Sequence, residues 1–267
     1  MKATQPMIMN AVLLTAMMAV AASNDTGSPL PPVDDVVQRV LERAKTEKDR
    51  EREFKARYHY VRSKATEFRN AKGELKQRKA KTGANHPTGA LTADRQTRTA
   101  RVKTESDGGG NPSAPVTDTH SNVRGRAFEE SDFPLNDELL KRFQFTLAGR
   151  EVLGGRPVLI VDFQPAKKKL PVRNLKDRFI NKAAGRAWVD ETDYALVKAD
   201  LHLTERVNVV GGLVGAVWEF TFGFIRERTP DGLWFTRKAN WHLEGREVFV
   251  RRKVDYHEER TDVRRVF

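Results

Sequence analysis

The chain has 267 residues, 39% hydrophobic and 31% charged, with four Trp and fourteen Phe. That is enough apolar material for one large domain or two small ones, and it excludes a wholly disordered chain. There is no Cys, so disulfide scaffolds, thiolate zinc sites, iron–sulfur clusters and cysteine nucleophiles are all excluded. The net charge is +12, and residues 43–82 hold three quarters of it, with fifteen basic and six acidic groups. Such a stretch suits an anionic membrane surface, or simply a solvated helix and an exposed hairpin.

Residues 1–22 read as a cleavable signal peptide. Lys2 supplies the positive start, an uncharged run extends from Ile8 to Ala22, and Ala19-Val20-Ala21 places small residues where a signal peptidase inspects them. The run is short for a membrane span and no Cys follows it for lipid attachment, so the expected location is the periplasm. All five Met lie within the first eighteen residues, so a cleaved chain would carry no sulfur.

After Pro31 and Pro32, the residues Val33, Val36, Val37, Val40, Leu41 and Ala44 recur at helical spacing, with Asp34 and Asp35 in the first turn. The pattern predicts one amphipathic helix from 33 to 55, running on through the charged stretch. Tyr58–Phe68 and Leu75–Thr82 flank Asn70-Ala-Lys-Gly73 and predict a hairpin, so 33–82 is expected to be an N-terminal helix and first hairpin. Residues 83–128 are rich in Gly, Pro, Ser, Thr, Asn and Asp and read as a low-complexity insertion.

The remaining strands are expected in 129–267. Phe143, Phe145 and Leu147 alternate with polar or small residues, and Val158–Phe163 is apolar on both faces, as in a covered central strand. Asn174–Ala184 is a short helix candidate. Strands are expected at about 186–191, 194–207, 214–228, 232–244 and 246–259, joined by turns without helices, which argues for an antiparallel sheet. Val207–Ile225 has Glu219 as its sole charge and would satisfy a hydropathy window, but its glycines and its alternating aromatics fit strands better than a membrane helix.

No catalytic signature is present. The six His include no i, i+4 pair and no HExxH motif, there is no GxSxG or SxxK element, and Gly211–Gly215 lacks the Lys-Ser/Thr of a phosphate loop. No enzyme, cofactor or metal site is expected.

Two segments carry a family resemblance. One is Phe145–Pro165, a strand, a glycine turn, a second strand and a proline. The other is Gly185–Asp200, a strand with Trp188 and Asp190, a tight turn, and a strand of alternating pattern. With the helix leading into Tyr58-His-Tyr60, they resemble the outer-membrane lipoprotein-sorting proteins, the LolA/LolB-like family of periplasmic carriers. The resemblance implies a mainly β fold, a curved antiparallel half-barrel with an N-terminal helix and a short capping helix, whose concave apolar face shelters acyl chains. The chain departs from the family pattern at 83–127, where a polar insertion stands in for strand material, and no ligand-release residue carries over.

The residues themselves lead to a compatible expectation. Trp218, Phe220, Phe222 and Phe224 form one aromatic face of a strand. Phe235 and Trp241 on the next strand and Leu201 and Leu203 on the preceding one extend it. These eight are the candidate groove for a lipid acyl chain or an acylated lipoprotein. The alternative is a non-enzymatic envelope sensor or protein-interaction module on the same fold. Nucleic acid is not an expected partner, because the chain reads as exported and, apart from Tyr58, Tyr60 and Phe68, no aromatic platform interleaves the basic residues.

Overall fold

The computed structural model describes residues 29–87, 136–166, 170–209, 215–247 and 250–266. The expected signal peptide and the expected insertion from 88 onward lie outside the described residues. Two helices open the described chain, α1 (Val33–Lys45) and α2 (Glu47–Arg57), followed by strands β1 (Tyr58–Arg69) and β2 (Leu75–Asn85). Then come α3 (Asp137–Leu140), β3 (Phe143–Leu153), β4 (Arg156–Pro165), α4 (Leu175–Ile180), β5 (Ala183–Asp190) and β6 (Leu196–Leu203). The chain ends with β7 (Val207–Val209), β8 (Gly215–Arg228), β9 (Trp234–Glu247) and β10 (Val250–Arg265).

The strands form one antiparallel sheet in the order β2-β1-β10-β9-β8-β6-β5-β4-β3, with β7 paired to β8. From β3 onward it is a meander. The N-terminal hairpin is then added beyond the last strand through the β1–β10 pair, which runs from Tyr58↔Arg265 to Arg69↔Lys253. That partner explains why β10 reaches Arg265, beyond the end expected near 259. Among the described residues β2 and β3 are the two edges, and the sheet does not close into a barrel.

Local chemistry sets the turns. At the β1–β2 hairpin the Asn70 side-chain oxygen accepts from the N–H of Lys72 and Glu74, both at 3.0 Å, and Gly73 takes a positive φ of 84°. Gly154 and Gly155, with φ of 59° and 77°, make the two-residue turn between β3 and β4, the geometry that matches strand twist. Asn174 caps α4 by accepting from the Asp177 N–H at 2.9 Å.

The helix expected to run from 33 to 55 is two helices, broken at Thr46. Thr46 donates both its N–H and its hydroxyl to the Arg43 carbonyl. Beyond it the apolar stripe of α1 has no continuation, and α2 buries Phe54. Phe54 is fully buried and stacks on Tyr58, Tyr60 and Phe235 at 5.2, 5.3 and 4.9 Å, so the second helix follows its own anchor. The candidate helix at 174–184 stops at Ile180 because Ala183 already begins β5. The apolar run 207–225 enters β7 and β8, and no helix among the described residues is long and apolar enough to cross a membrane.

β4 is buried on both faces. Leu159 and Val161 pack with Val36 of α1, and Val158 and Ile160 pack with Trp188. Flat, a sheet would hold β3 and β10 about 29 Å apart, six strand spacings. Yet Phe145 of β3 and Tyr256 of β10 border the same cavity, so the sheet curls around the helices.

Candidate functional site

A cavity of about 650 Å³ lies between the concave face of the sheet and the helices. Its roof is the apolar face of α1, formed by Val36, Val37, Val40, Leu41 and Ala44, with Leu139 and Leu140 of α3 beside it. The walls are Phe143 and Phe145 of β3 and Val161 and Phe163 of β4, and the floor includes Leu201, Phe222, Phe224, Ala239 and Tyr256. Alternation on the strands aims these side chains inward.

Four of the eight groove residues inferred from sequence line this space: Leu201, Phe222, Phe224 and Phe235. Phe235 also belongs to the cluster around Phe54 that closes one end. Phe220, Trp241 and Leu203 share the core with Phe222 and Phe224 but do not border the cavity. Phe220 meets Phe179 of α4 edge-on at 6.0 Å, and Trp241 stacks on Tyr256 at 5.6 Å. The short capping helix thus seals one end of the aromatic stripe as ordinary core.

Trp218 requires a correction. It does not continue the stripe, because the β8–β9 register shifts between Val217 and Glu219. This bulge changes the phase of the alternation, so Val217 joins Phe220, Phe222 and Phe224 in the core while Trp218 turns outward, 36% exposed. Its indole N–H points to Glu244 at 3.5 Å and Arg251 lies over its ring.

The sequence reading missed the polar end of the cavity. Arg62, Arg226, Glu258 and Arg260 line it from the sheet, and Lys45, Glu47, Lys48 and Glu51 from the helices. Parity carried the signal. Arg226 shares the face of Phe222 and Phe224, and Glu258 and Arg260 share that of Val254 and Tyr256. The inward stripe therefore changes from aromatic to ionic along each strand.

Glu258 is buried and its carboxylate accepts from Arg62 Nε at 2.6 Å, Arg62 Nη2 at 2.8 Å and the Tyr256 hydroxyl at 2.7 Å. Burial alone pushes its pKa up, but those donors outweigh it and hold the carboxyl below its ordinary range. Glu47 joins helix to sheet by accepting from Arg43 at 3.0 Å and from the buried Arg226 at 2.9 Å. Arg260 is 6% exposed, and its nearest carboxylates are Glu51 at 3.9 Å and Glu258 at 4.0 Å.

On the outer face, Glu219, His242 and Glu244 bring three potential metal-ligating atoms within 4.8 Å of one another. Glu244 is ion-paired with Lys253, and His242 Nδ1 lies 2.6 Å from Asp255. An ammonium already supplies the positive charge there.

No family model matches the chain, and no curated protein matches it. Among solved structures it is similar to an outer membrane lipoprotein-sorting protein domain from Vibrio parahaemolyticus, at 14% identity and a TM-score of 0.32, over 86% of this chain and 93% of that one. It is also similar to a DUF1329 family protein from Desulfovibrio piger, at 13% identity and a TM-score of 0.37, over 88% and 94% of the two chains. A third similarity is to a LolA superfamily protein from Nitrosomonas europaea, at 10% identity and a TM-score of 0.28, over 85% and 92%.

Proposed function

We propose that the chain is an exported, non-catalytic carrier or chaperone that holds acyl chains of lipids or acylated proteins in the cavity beneath α1. Its place would be the periplasm, in the sorting of outer-membrane lipoproteins. The observation that carries this reading is a cavity of about 650 Å³ between the apolar face of a helix and the aromatic face of a sheet. An alkyl chain entering such a space gains roughly 0.8 kcal/mol per buried methylene, so a few methylenes give useful affinity. The basic residues of α2, β1 and β2 would favour approach to an anionic membrane surface.

The test is binding of the uncharged fluorophore 1-N-phenylnaphthylamine and its displacement by lipid. Phe222→Asp is expected to weaken binding at least about tenfold while the domain still folds, because its carboxylate would face the cavity rather than packed side chains. Thr221→Asp, on the opposite face of β8, should bind as the parent does. Ala239→Phe, which fills the floor, should weaken binding without lowering the melting temperature. A Phe222→Asp chain that cannot fold, with Ala239→Phe binding normally, would mark the space as sealed core and end the carrier reading.

A further inference from the structure

Resting on the carrier reading, we propose that the ligand is a small anionic amphiphile, an apolar tail ending in a carboxylate or phosphate, and that Arg260 takes the head. Arg260 is 6% exposed on the cavity wall, and its Nε is buried with no hydrogen-bond partner among the described residues. The two carboxylates near it are engaged elsewhere. Glu258 has both oxygens occupied by Arg62 and Tyr256, and Glu51 is paired with Lys55 at 2.7 Å. At 3.9 and 4.0 Å from Arg260, both are beyond hydrogen-bonding reach. A planar guanidinium held against the Tyr60 ring therefore has its buried Nε–H without an acceptor among the described residues, at the charged end of the cavity.

Burying a cation this way is unfavourable unless an anion completes it, and a wall meant for hydrocarbon alone would be cheaper to build from apolar residues. The charge balance points the same way. Of the guanidinium groups lining the cavity, Arg62 is matched by Glu258 and Arg226 by Glu47, whereas Arg260 has no carboxylate within hydrogen-bonding distance among the described residues. A guanidinium fork matches carboxylate or phosphate oxygens, which fixes the class of head group. Along β10 the inward residues run Tyr256, Glu258, Arg260, so a tail lying over Phe222 and Tyr256 ends at the cationic position. A volume of about 650 Å³ falls within the range of roughly 300–1,000 Å³ typical of small-ligand pockets, which suits one tail and its head.

The experiment is calorimetric titration of the full chain, stripped of co-purified lipid, with four C12 probes below their micelle concentrations: dodecanoate, dodecyl phosphate, 1-dodecanol and dodecyltrimethylammonium. Either or both anions should bind at least about tenfold more tightly than the alcohol and the ammonium, and which anion leads separates a fatty-acid source from a phospholipid one. Arg260→Gln should remove that preference while keeping the affinity for 1-dodecanol, and Arg260→Lys should retain part of it. Equal affinity for all four probes overturns the head-group assignment and leaves the carrier reading intact. Binding of none overturns both. Inorganic phosphate binding as tightly as dodecyl phosphate would show that the tail is not recognised and would also overturn the proposal. The parent-chain comparison of the four probes decides the matter even if Arg260→Gln does not fold.

Discussion

At the scale of single residues, the chain tolerates deep charge where each oxygen is used. Asp190 is 0% exposed, and it accepts from Arg156 Nε and Nη2 at 2.5 and 2.9 Å and from the N–H groups of Thr192 and Asp193. Burial pushes its carboxyl up, but Arg156 and the two backbone donors prevail and hold it below the ordinary range, as happens at Glu258. A carboxyl depressed in the folded state adds stability above its unfolded pKa, about 3.9 for Asp and 4.3 for Glu, and that stability is lost as pH falls through the lower folded value. Urea midpoints are therefore expected to be flat with respect to these two groups from pH 7 to about 5, and to drop on the acid side of about pH 4. Asp190→Ala removes the Arg156 partner and the acceptor of the Thr192 and Asp193 N–H groups, so it should lower the urea midpoint at pH 7 and remove part of the acid-side drop.

At the scale of elements, the two helices differ in what holds them. α1 is fastened along its length by Val36, Val40 and Leu41, whereas α2 depends on Phe54. Phe54→Ala should cost about 3–5 kcal/mol in chemical denaturation, while Arg52→Ala on the exposed face should stay within about 0.5 kcal/mol. α1 was legible from sequence because its stripe has helical period and its first turn is acidic, but nothing in that period says which sheet face it roofs. The stripe on β8 was legible from Phe220 to Phe224. It failed at Trp218 because a bulge depends on pairing with β9, which periodicity within one strand does not contain. The ionic end was readable by parity at Arg226, Glu258 and Arg260, and it was passed over because charged strand positions are usually solvated. Their burial comes from α2 and β1, distant in sequence.

At the scale of the whole molecule, β2 is an edge of the sheet among the described residues, and the residues on it include Lys76, Arg78, Lys79 and Lys81. Cations along an unpaired strand discourage another chain from adding to it. Replacing Lys79 and Lys81 with Thr should produce concentration-dependent association, visible as a rise in light-scattering mass, with little change in melting temperature. A monodisperse variant at high concentration would assign edge protection to another feature. The meander β3 to β10 was accessible from the turns between strands, but the place of the β1–β2 hairpin beyond β10 was not, since no local signal links Tyr58 to Arg265.

That placement has a consequence in time. Synthesis delivers β1 well before its partner β10, so the hairpin waits without that partner until β10 arrives. Until then α2 and its Phe54 anchor sit beside a sheet still missing the strand that joins the hairpin to β9. β10 is the clasp that joins the hairpin to the rest of the sheet. Without β10 the β1–β2 hairpin would have no strand joining it to the sheet, and only the helices would tie the first portion to the middle one.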